Sequence, residues 1–270
     1  MTEISDTFHD LRKRNEAALI AYLTVGDPQV TKTTKLVQAL VEGGVDIVEL
    51  GIPFSDPIAD GPTIQNAVVR SLKGGCRPSD IFEVASNIRE LRDVPLVTMT
   101  YYNPIFRIGL GRFLKLCKKA GISGLIVPDL PIEESKAYRE ECVANELDTI
   151  FLAAPSTDEA RLRRIAAETS GYLYLVSLYG VTGARSRLSD ESPQLIRRCD
   201  NSLPDDLPFA VGFGISRPIQ VKRIIQAGAD GVIVGSAFVD VIAENSRSTQ
   251  QATRGLAKLA RSLKRATRLN

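Results

Sequence analysis

The chain is poor in metal ligands and in the usual nucleophile-activating residue. It has one histidine, His9, and four cysteines, Cys76, Cys117, Cys142 and Cys199, none of them in a CxxC pair. Transition-metal centres draw on clusters of these residues, so no metal site is expected. A histidine-dependent triad is equally unexpected, since no nucleophile motif accompanies His9. Scattered thiols point to a reducing, cytoplasmic setting. The stretch from Met1 to Asp6 is acidic and unlike a signal peptide, and no apolar run approaches the ~18 residues of a membrane span. Charge is also nearly absent in sum. There are 34 basic and 32 acidic residues and a net charge of +2, which gives no bulk case for binding nucleic acid or an acidic membrane. The basic C-terminal stretch, Arg254, Lys258, Arg261, Lys264, Arg265 and Arg268, alternates with Leu256, Leu259, Ala260 and Leu263. It reads as the wet face of an amphipathic helix.

What the chain has is 270 residues, 44% of them hydrophobic, and a regular alternation of short apolar runs with helical patterns. The runs lie at 19–23, 47–50, 96–100, 124–127, 149–152, 172–176, 209–212 and 231–234. Nearly every residue in them is apolar, as in strands buried on both faces. Helical patterns fit at 31–42, 63–72, 78–91, 111–119, 133–145, 158–168, 193–198, 218–227 and 250–267, and His9 lies in a further N-terminal amphipathic helix. Glycines end three of the helices before the chain turns back, at Gly43-Gly44, Gly121 and Gly228. Eight β–α units without hairpin signals imply a parallel sheet and, in one domain over 1–270, a (β/α)8 TIM barrel with an extra N-terminal helix. An open doubly wound sheet is the alternative; no GxGxxG follows the first run to support it.

In such a barrel the chemistry sits at the C-terminal ends of the strands. There the second run opens into Glu49-Leu-Gly-Ile-Pro-Phe-Ser-Asp-Pro-Ile-Ala-Asp60-Gly-Pro-Thr-Ile-Gln65. A carboxylate closing a buried strand is costly unless it is bonded or used. The proline-rich loop that returns a second carboxylate, Asp60, suggests acid/base work, although a strand cap at Glu49 and a helix cap at Asp60 would have the same spelling. The seventh and eighth runs end in Gly212-Phe-Gly-Ile-Ser216 and Gly235-Ser236, each opening a helix. Glycine there lets backbone N–H groups approach an anion, and a helix N-terminus favours one, so these turns form a candidate phosphate site; strand ends and helix caps use the same residues. The polar stretch 178–193, with Gly180, Gly183, Arg185 and Arg187, has the make-up of a lid or of an ordinary surface loop.

The loop from Glu49 to Gln65, together with Gly180-Val-Thr-Gly183, Gly212-Phe-Gly-Ile-Ser216 and Gly235-Ser-Ala237, resembles the tryptophan synthase alpha subunit family across the whole chain. The resemblance implies a lyase of tryptophan biosynthesis that cleaves indole-3-glycerol phosphate to indole and glyceraldehyde 3-phosphate. It implies Glu49 as the acid/base and Asp60 as the partner of the indole N–H. It further implies Gly183, Gly214, Gly235 and Ser236 at the phosphate, Thr182 on the lid, and Tyr22, Ile64, Thr100, Tyr101, Tyr174 and Phe213 around the substrate. Asp56, Asn103, Pro104, Ile105 and Phe106, the last four in a loop, would face a beta subunit in an alpha2beta2 complex, with pyridoxal phosphate in that partner and no cofactor in this chain. Two departures stand out: Leu178-Tyr179 where some members have an arginine, and a polar Thr100 in the pocket. A stand-alone lyase and a phosphate-ligand-sensing module are the competing functions; the second has no need of the carboxylate pair.

Overall fold

In strand β1, Ala18–Thr24, every residue is buried, and successive side chains face opposite ways. Ala18 and Ile20 join one apolar cluster while Leu19, Ala21 and Leu23 join another. The first cluster fills the inside of a barrel and the second lies between the strands and a coat of helices. This two-sided burial is why the strands carry almost no polar residues. The structure, a computed structural model, describes residues 2–176, 196–199, 202–212 and 214–269.

The remaining strands are β2 Ile47–Gly51, β3 Leu96–Met99, β4 Gly124–Ile126, β5 Asp148–Ile150, β6 Leu152–Ala153, β7 Leu173–Val176, β8 Phe209–Gly212 and β9 Gly231–Val234. All pairings between them are parallel, in the order β5-β4-β3-β2-β1-β9-β8-β7-β6. The expected run 149–152 is divided at Phe151. Its first part pairs with β4 and its second with β7. The Phe151 carbonyl accepts from the Tyr174 N–H at 3.0 Å, so the two parts are one extended segment at which the ring closes. The other expected strands match the observed ones to within about two residues at each end, as boundaries do.

The helices are α1 Glu3–Lys13, α2 Val30–Glu42, α3 Pro62–Lys73, α4 Asp80–Leu91, α5 Tyr102–Ile108, α6 Leu110–Lys119, α7 Lys136–Ala144, α8 Glu159–Glu168, α9 Pro218–Gln226, α10 Ser236–Glu244 and α11 Thr249–Arg265. Of the helix expected at 193–198, residues 196–198 are described, and they are helical together with 199. The helix expected from 133 begins as a 3-10 turn, Ile132–Glu134, before α7 starts. Helix α1 is capped by the Thr2 hydroxyl, which accepts from the Ser5 N–H. Its Ile4, Phe8 and Leu11 join the cluster inside the barrel, so α1 plugs the N-terminal mouth.

Two expectations are corrected. Residues 102–106 form the start of helix α5 and not a loop: the Tyr102 N–H is taken by the Asp129 carboxylate at 2.9 Å, which caps the turn, and Pro104 falls in its first turn where no N–H is needed. Lys264 is not on the wet face of α11. Its ammonium lies 2.8 Å from Asp46 and 3.2 Å from Glu16, with only 15% of the side chain exposed. Asp46 also accepts from the Leu19 N–H at 2.8 Å. Burial pushes the Asp46 carboxyl up against the pull of Lys264. The trio ties the last helix to the start of β2. Removing one member of a desolvated ion pair strands the others. Lys264→Met is therefore expected to cost about 3 kcal/mol or more, read as a lower urea midpoint at unchanged slope. A midpoint unchanged from wild type would mean that solvent, not Lys264, satisfies Asp46 and Glu16.

Candidate active site

Alternation along the strands decides which side chains reach the mouth. In register, Tyr22 of β1 stands beside Glu49 of β2, and Glu49 beside Val97 of β3. All three therefore point inward. On β7 the inward positions carry Tyr172, just before the strand, and Tyr174. The hydroxyl of Tyr172 donates to Glu49 Oε1 at 2.5 Å. Glu49 Oε2 is buried and finds no hydrogen-bond partner among the described residues. Glu49 itself has no exposed surface. Burial pushes its carboxyl up to about 7, against the opposing pull of the Tyr172 bond. The barrel thus holds an acid that changes charge near neutral pH.

Tyr172 was not foreseen. The signal was its two-residue spacing from Tyr174, which puts both rings on one face of a strand. Phe8 of the plug packs on it, with ring centroids 5.7 Å apart. The N-terminal helix therefore supports the ring that holds Glu49.

Asp60 arrives by a different route. After β2 the chain runs out over the mouth, exposing Asp56 and Ile58, and turns back so that the Asp60 N–H meets the Pro57 carbonyl at 3.1 Å. Tyr101 fixes the return. Its hydroxyl accepts from the Ala59 N–H at 2.9 Å and donates to Asp60 Oδ2 at 3.1 Å, while its ring packs on Phe54 at 5.5 Å. Gln65 adds a bond to the Asp60 carbonyl at 2.8 Å. Burial raises the Asp60 carboxyl to about 6, offset in part by the Tyr101 bond.

Two rings line the space between. Tyr22 lies across Gly51 and Tyr174 across Gly212; a Cβ at either glycine would collide with the tyrosine hydroxyl. Burial pushes both phenols up, and both feel the charges of Asp60 and Glu49. The two carboxylates thus share one tyrosine-lined space. Ile64, at the start of α3, packs with Tyr22, Ala67 and Val239 beside it. Thr100 is buried and its hydroxyl donates to the Tyr101 carbonyl at 3.2 Å, so the polar group in the pocket is spent on backbone.

On the far side, Gly235 precedes α10 with no side-chain cap. The Phe238 and Val239 N–H groups donate to the Gly235 carbonyl at 2.9 and 3.0 Å, which leaves those of Ser236 and Ala237 without an acceptor among the described residues. Gly214, at φ +73°, turns the chain ahead of α9. The N–H groups of Ser216 and Arg217 are already bonded to Gln220 Oε1, at 3.0 and 2.9 Å. Open donors for an anion are therefore concentrated at the start of α10. Thr182, Gly183 and the rest of 177–195, with Phe213, lie outside the described residues. Of the five residues expected to face a partner, Asp56, Asn103 and Phe106 are exposed, Phe106 at 73%, whereas Pro104 and Ile105 pack into their own chain. Among the described residues no helix is long and apolar enough to cross a membrane.

The family model of the tryptophan synthase alpha chain matches residues 8–268. The chain is 49% identical over 266 residues to the tryptophan synthase alpha chain of Methanosarcina barkeri, covering 98% of each. It is 46% identical over 253 residues to that of Methanopyrus kandleri, covering 93% of this chain and 90% of the relative. Among solved structures it is similar to tryptophan synthase from M. tuberculosis in an open form, with a TM-score of 0.89 and 35% identity over 99% of each chain. A structure of the tryptophan synthase a2b2 complex from Pyrococcus furiosus, described in terms of its mutual activation, aligns with a TM-score of 0.87 and 42% identity, covering 92% of this chain and 98% of that one.

The buried acid has a consequence for stability. Glu49 gives up its proton near pH 7 in the fold and near 4.5 when unfolded. Between those values the folded state binds more protons, so stability falls as pH rises through the window and the full cost stands above it. Glu49→Gln keeps the shape and cannot ionise. It is expected to match wild type near pH 5 and to exceed it by about 3 kcal/mol at pH 8, in urea titrations at the two pH values. An equal midpoint difference at both would show that Glu49 ionises normally.

Proposed function

The chain belongs to the tryptophan synthase alpha chain family, and from that premise we propose that its tyrosine-lined mouth cleaves indole-3-glycerol phosphate to indole and glyceraldehyde 3-phosphate. The observation that carries the reading is a pair of desolvated carboxyls around one Tyr22–Tyr174 space: Glu49, fully buried and raised to about 7, and Asp60, raised to about 6. Burial raises both, and with Glu49 the higher of the two a protonated Glu49 and an ionised Asp60 coexist near neutral pH, so one fold offers an acid and an anion at once. Glu49 gives its proton to indole C3. Positive charge develops on the ring, and Asp60 accepts the N–H and offsets it. As the bond from C3 to the glycerol carbon breaks, its electron pair returns to the ring. The side-chain hydroxyl loses its proton to Glu49 and becomes the aldehyde. Glu49 ends protonated, as it began, so the cycle needs no external acid and no cofactor in this chain.

The phosphate sits on the open N–H groups of α10 at Gly235 and Ser236, with Gly214 and Gly183 beside it and Thr182 on a lid. Tyr22, Ile64, Thr100, Tyr101, Tyr174 and Phe213 surround the rest of the substrate. Indole passes to a beta subunit that carries pyridoxal phosphate, in an alpha2beta2 complex in the cytoplasm. Exposed Ile58 and Phe106, at 82% and 73%, support a partner on this face. A module that merely sensed the phosphate would have no use for two desolvated carboxylates.

Glu49→Gln is expected to lower kcat by about 10²–10⁴-fold with the affinity for glycerol 3-phosphate unchanged. The wild-type kcat is expected to trace a bell, falling below about pH 6 as Asp60 takes up a proton and above about pH 7 as Glu49 loses its own. Activity of Glu49→Gln within tenfold of wild type would remove Glu49 from the chemistry.

The partner face is mechanically tied to Asp60. Tyr101, which holds Ala59 and Asp60, directly precedes α5 with its exposed Asn103 and Phe106, and Asp56 lies on the same loop as Asp60. A partner gripping these residues bears on the Tyr101–Asp60 bond. Binding of glycerol 3-phosphate and of the beta subunit is expected to be reciprocally coupled by one common factor, typically about 5–150-fold. Calorimetric titration of each ligand with and without the other measures it; affinities that stay put in both directions would leave a stand-alone lyase.

A further inference from the structure

The hydroxyls of Tyr22 and Thr24 are joined by one hydrogen bond of 3.2 Å. Two O–H groups bring two protons, and one bond spends only one of them. No second acceptor for either hydroxyl occurs among the described residues. Thr24 is sealed from solvent, at 0% exposure, whereas the ring of Tyr22 borders the mouth. The orientation of that ring is set at both ends. Its Cβ, Cγ and Cδ1 edge lies against Gly235, at the phosphate side, and its hydroxyl, Cζ and Cε2 lie against Gly51, two residues beyond Glu49. Among the charged groups acting on Tyr22, Asp60 is the strongest and Glu49 follows. The spare proton is lowest in energy when it faces those carboxylates. That requires Thr24 to donate to Tyr22 and leaves the Tyr22 O–H unspent.

Asp60 is half-provided for. Tyr101 occupies Oδ2, and Oδ1 bonds no described residue. Tyr101 follows β3 and Tyr22 lies on β1, so the two phenols flank β2 and the loop that leaves it. We propose that Tyr22 is a positioning residue for Asp60: with substrate in the site, its hydroxyl donates to the carboxylate oxygen that Tyr101 leaves open, and the two tyrosines hold Asp60 charged and aimed at the ring N–H. The inference rests on the reading of Asp60 as the group that meets that N–H. It gives the Tyr22–Thr24 pair a task beyond lining: Thr24 spends its proton so that Tyr22 can keep its own.

The test is the pH dependence of kcat, which reports groups in the substrate complex. The titratable groups interacting with Asp60 are Tyr101 beyond β3, Tyr22 on β1 and Tyr174 on β7, and Glu49 of β2 acts on the same Tyr22 and Tyr174. Tyr22→Phe keeps the ring between Gly51 and Gly235 and removes only the hydroxyl. Losing a donor makes the charged carboxylate less favourable, so the acid limb is expected to move up by roughly one unit, which lowers kcat roughly tenfold near pH 5 and by less than about twofold at pH 7. The alkaline limb, set by Glu49, and the affinity for glycerol 3-phosphate are expected to stay. A motionless acid limb overturns the proposal. A second arm places Tyr22→Phe in Asp60→Asn, which cannot ionise. There the phenyl variant is expected to cost nothing more, and a further tenfold loss would show that the hydroxyl acts elsewhere. Wild-type activity in Asp60→Asn alone would remove Asp60 from the reaction and overturn both readings together, an outcome distinct from a fixed limb in Tyr22→Phe.

Discussion

A carboxyl group with no exposed surface and one unpartnered oxygen among the described residues is the constraint around which the rest of this barrel is arranged. Burying Glu49 is unfavourable in isolation, since desolvation penalises the charged form. The fold tolerates it because the inward face of β2 is committed. Shifting β2 by one residue would bring Val48 and Leu50 inward and send Glu49 into the helix layer. The apolar majority of the strand therefore fixes where its one acid stands. Strongly perturbed carboxyls tend to mark functional sites, and the penalty falls on the residue proposed as the acid.

Everything close to Glu49 tunes that penalty. The Tyr172 bond relieves part of it, and Phe8 of the plug packs against Tyr172, so a helix at the bottom of the barrel reaches Glu49 through two aromatic rings. Tyr22 and Tyr174 fit only because Gly51 and Gly212 leave room for their hydroxyls. Asp60 sits in a wetter position and is held by a different tyrosine, and burial still raises its carboxyl to about 6. Burial thus holds two carboxyls well above their ordinary values in one tyrosine-lined space, the arrangement on which the proposed acid and anion roles rest.

Much of this was legible in the chain. Strands buried on both faces announce themselves as apolar runs, and glycines mark where helices stop, so the eight β–α units and their order could be read directly. Glu49 and Asp60 were visible because an acid at the end of a buried strand contradicts its surroundings. Pairing across space was not visible. Lys264 looked like one more base on a wet helix face, since nothing local tells of Asp46 and Glu16 more than two hundred residues earlier. Residues 102–106 looked like a loop because the cap that starts the helix comes from Asp129, a residue on another loop. Tyr172 was hidden as an aromatic among aromatics, its role fixed only when β7 meets the inside of the barrel. Patterning along the chain finds the elements and the misfit residues; partners drawn from distant strands require the fold.

The central claim is that Glu49 gives up its proton only near neutral pH because the barrel interior disfavours its charge. The direct measurement is a carbon-13 titration of the Glu49 side-chain carboxyl, identified by its loss in Glu49→Gln, in the ligand-free protein. A midpoint near 7, well above the ordinary 4.5 of a glutamate, is the expected result. A midpoint at or below 4.5 would show the interior to be open to water around Glu49 and would contradict the account.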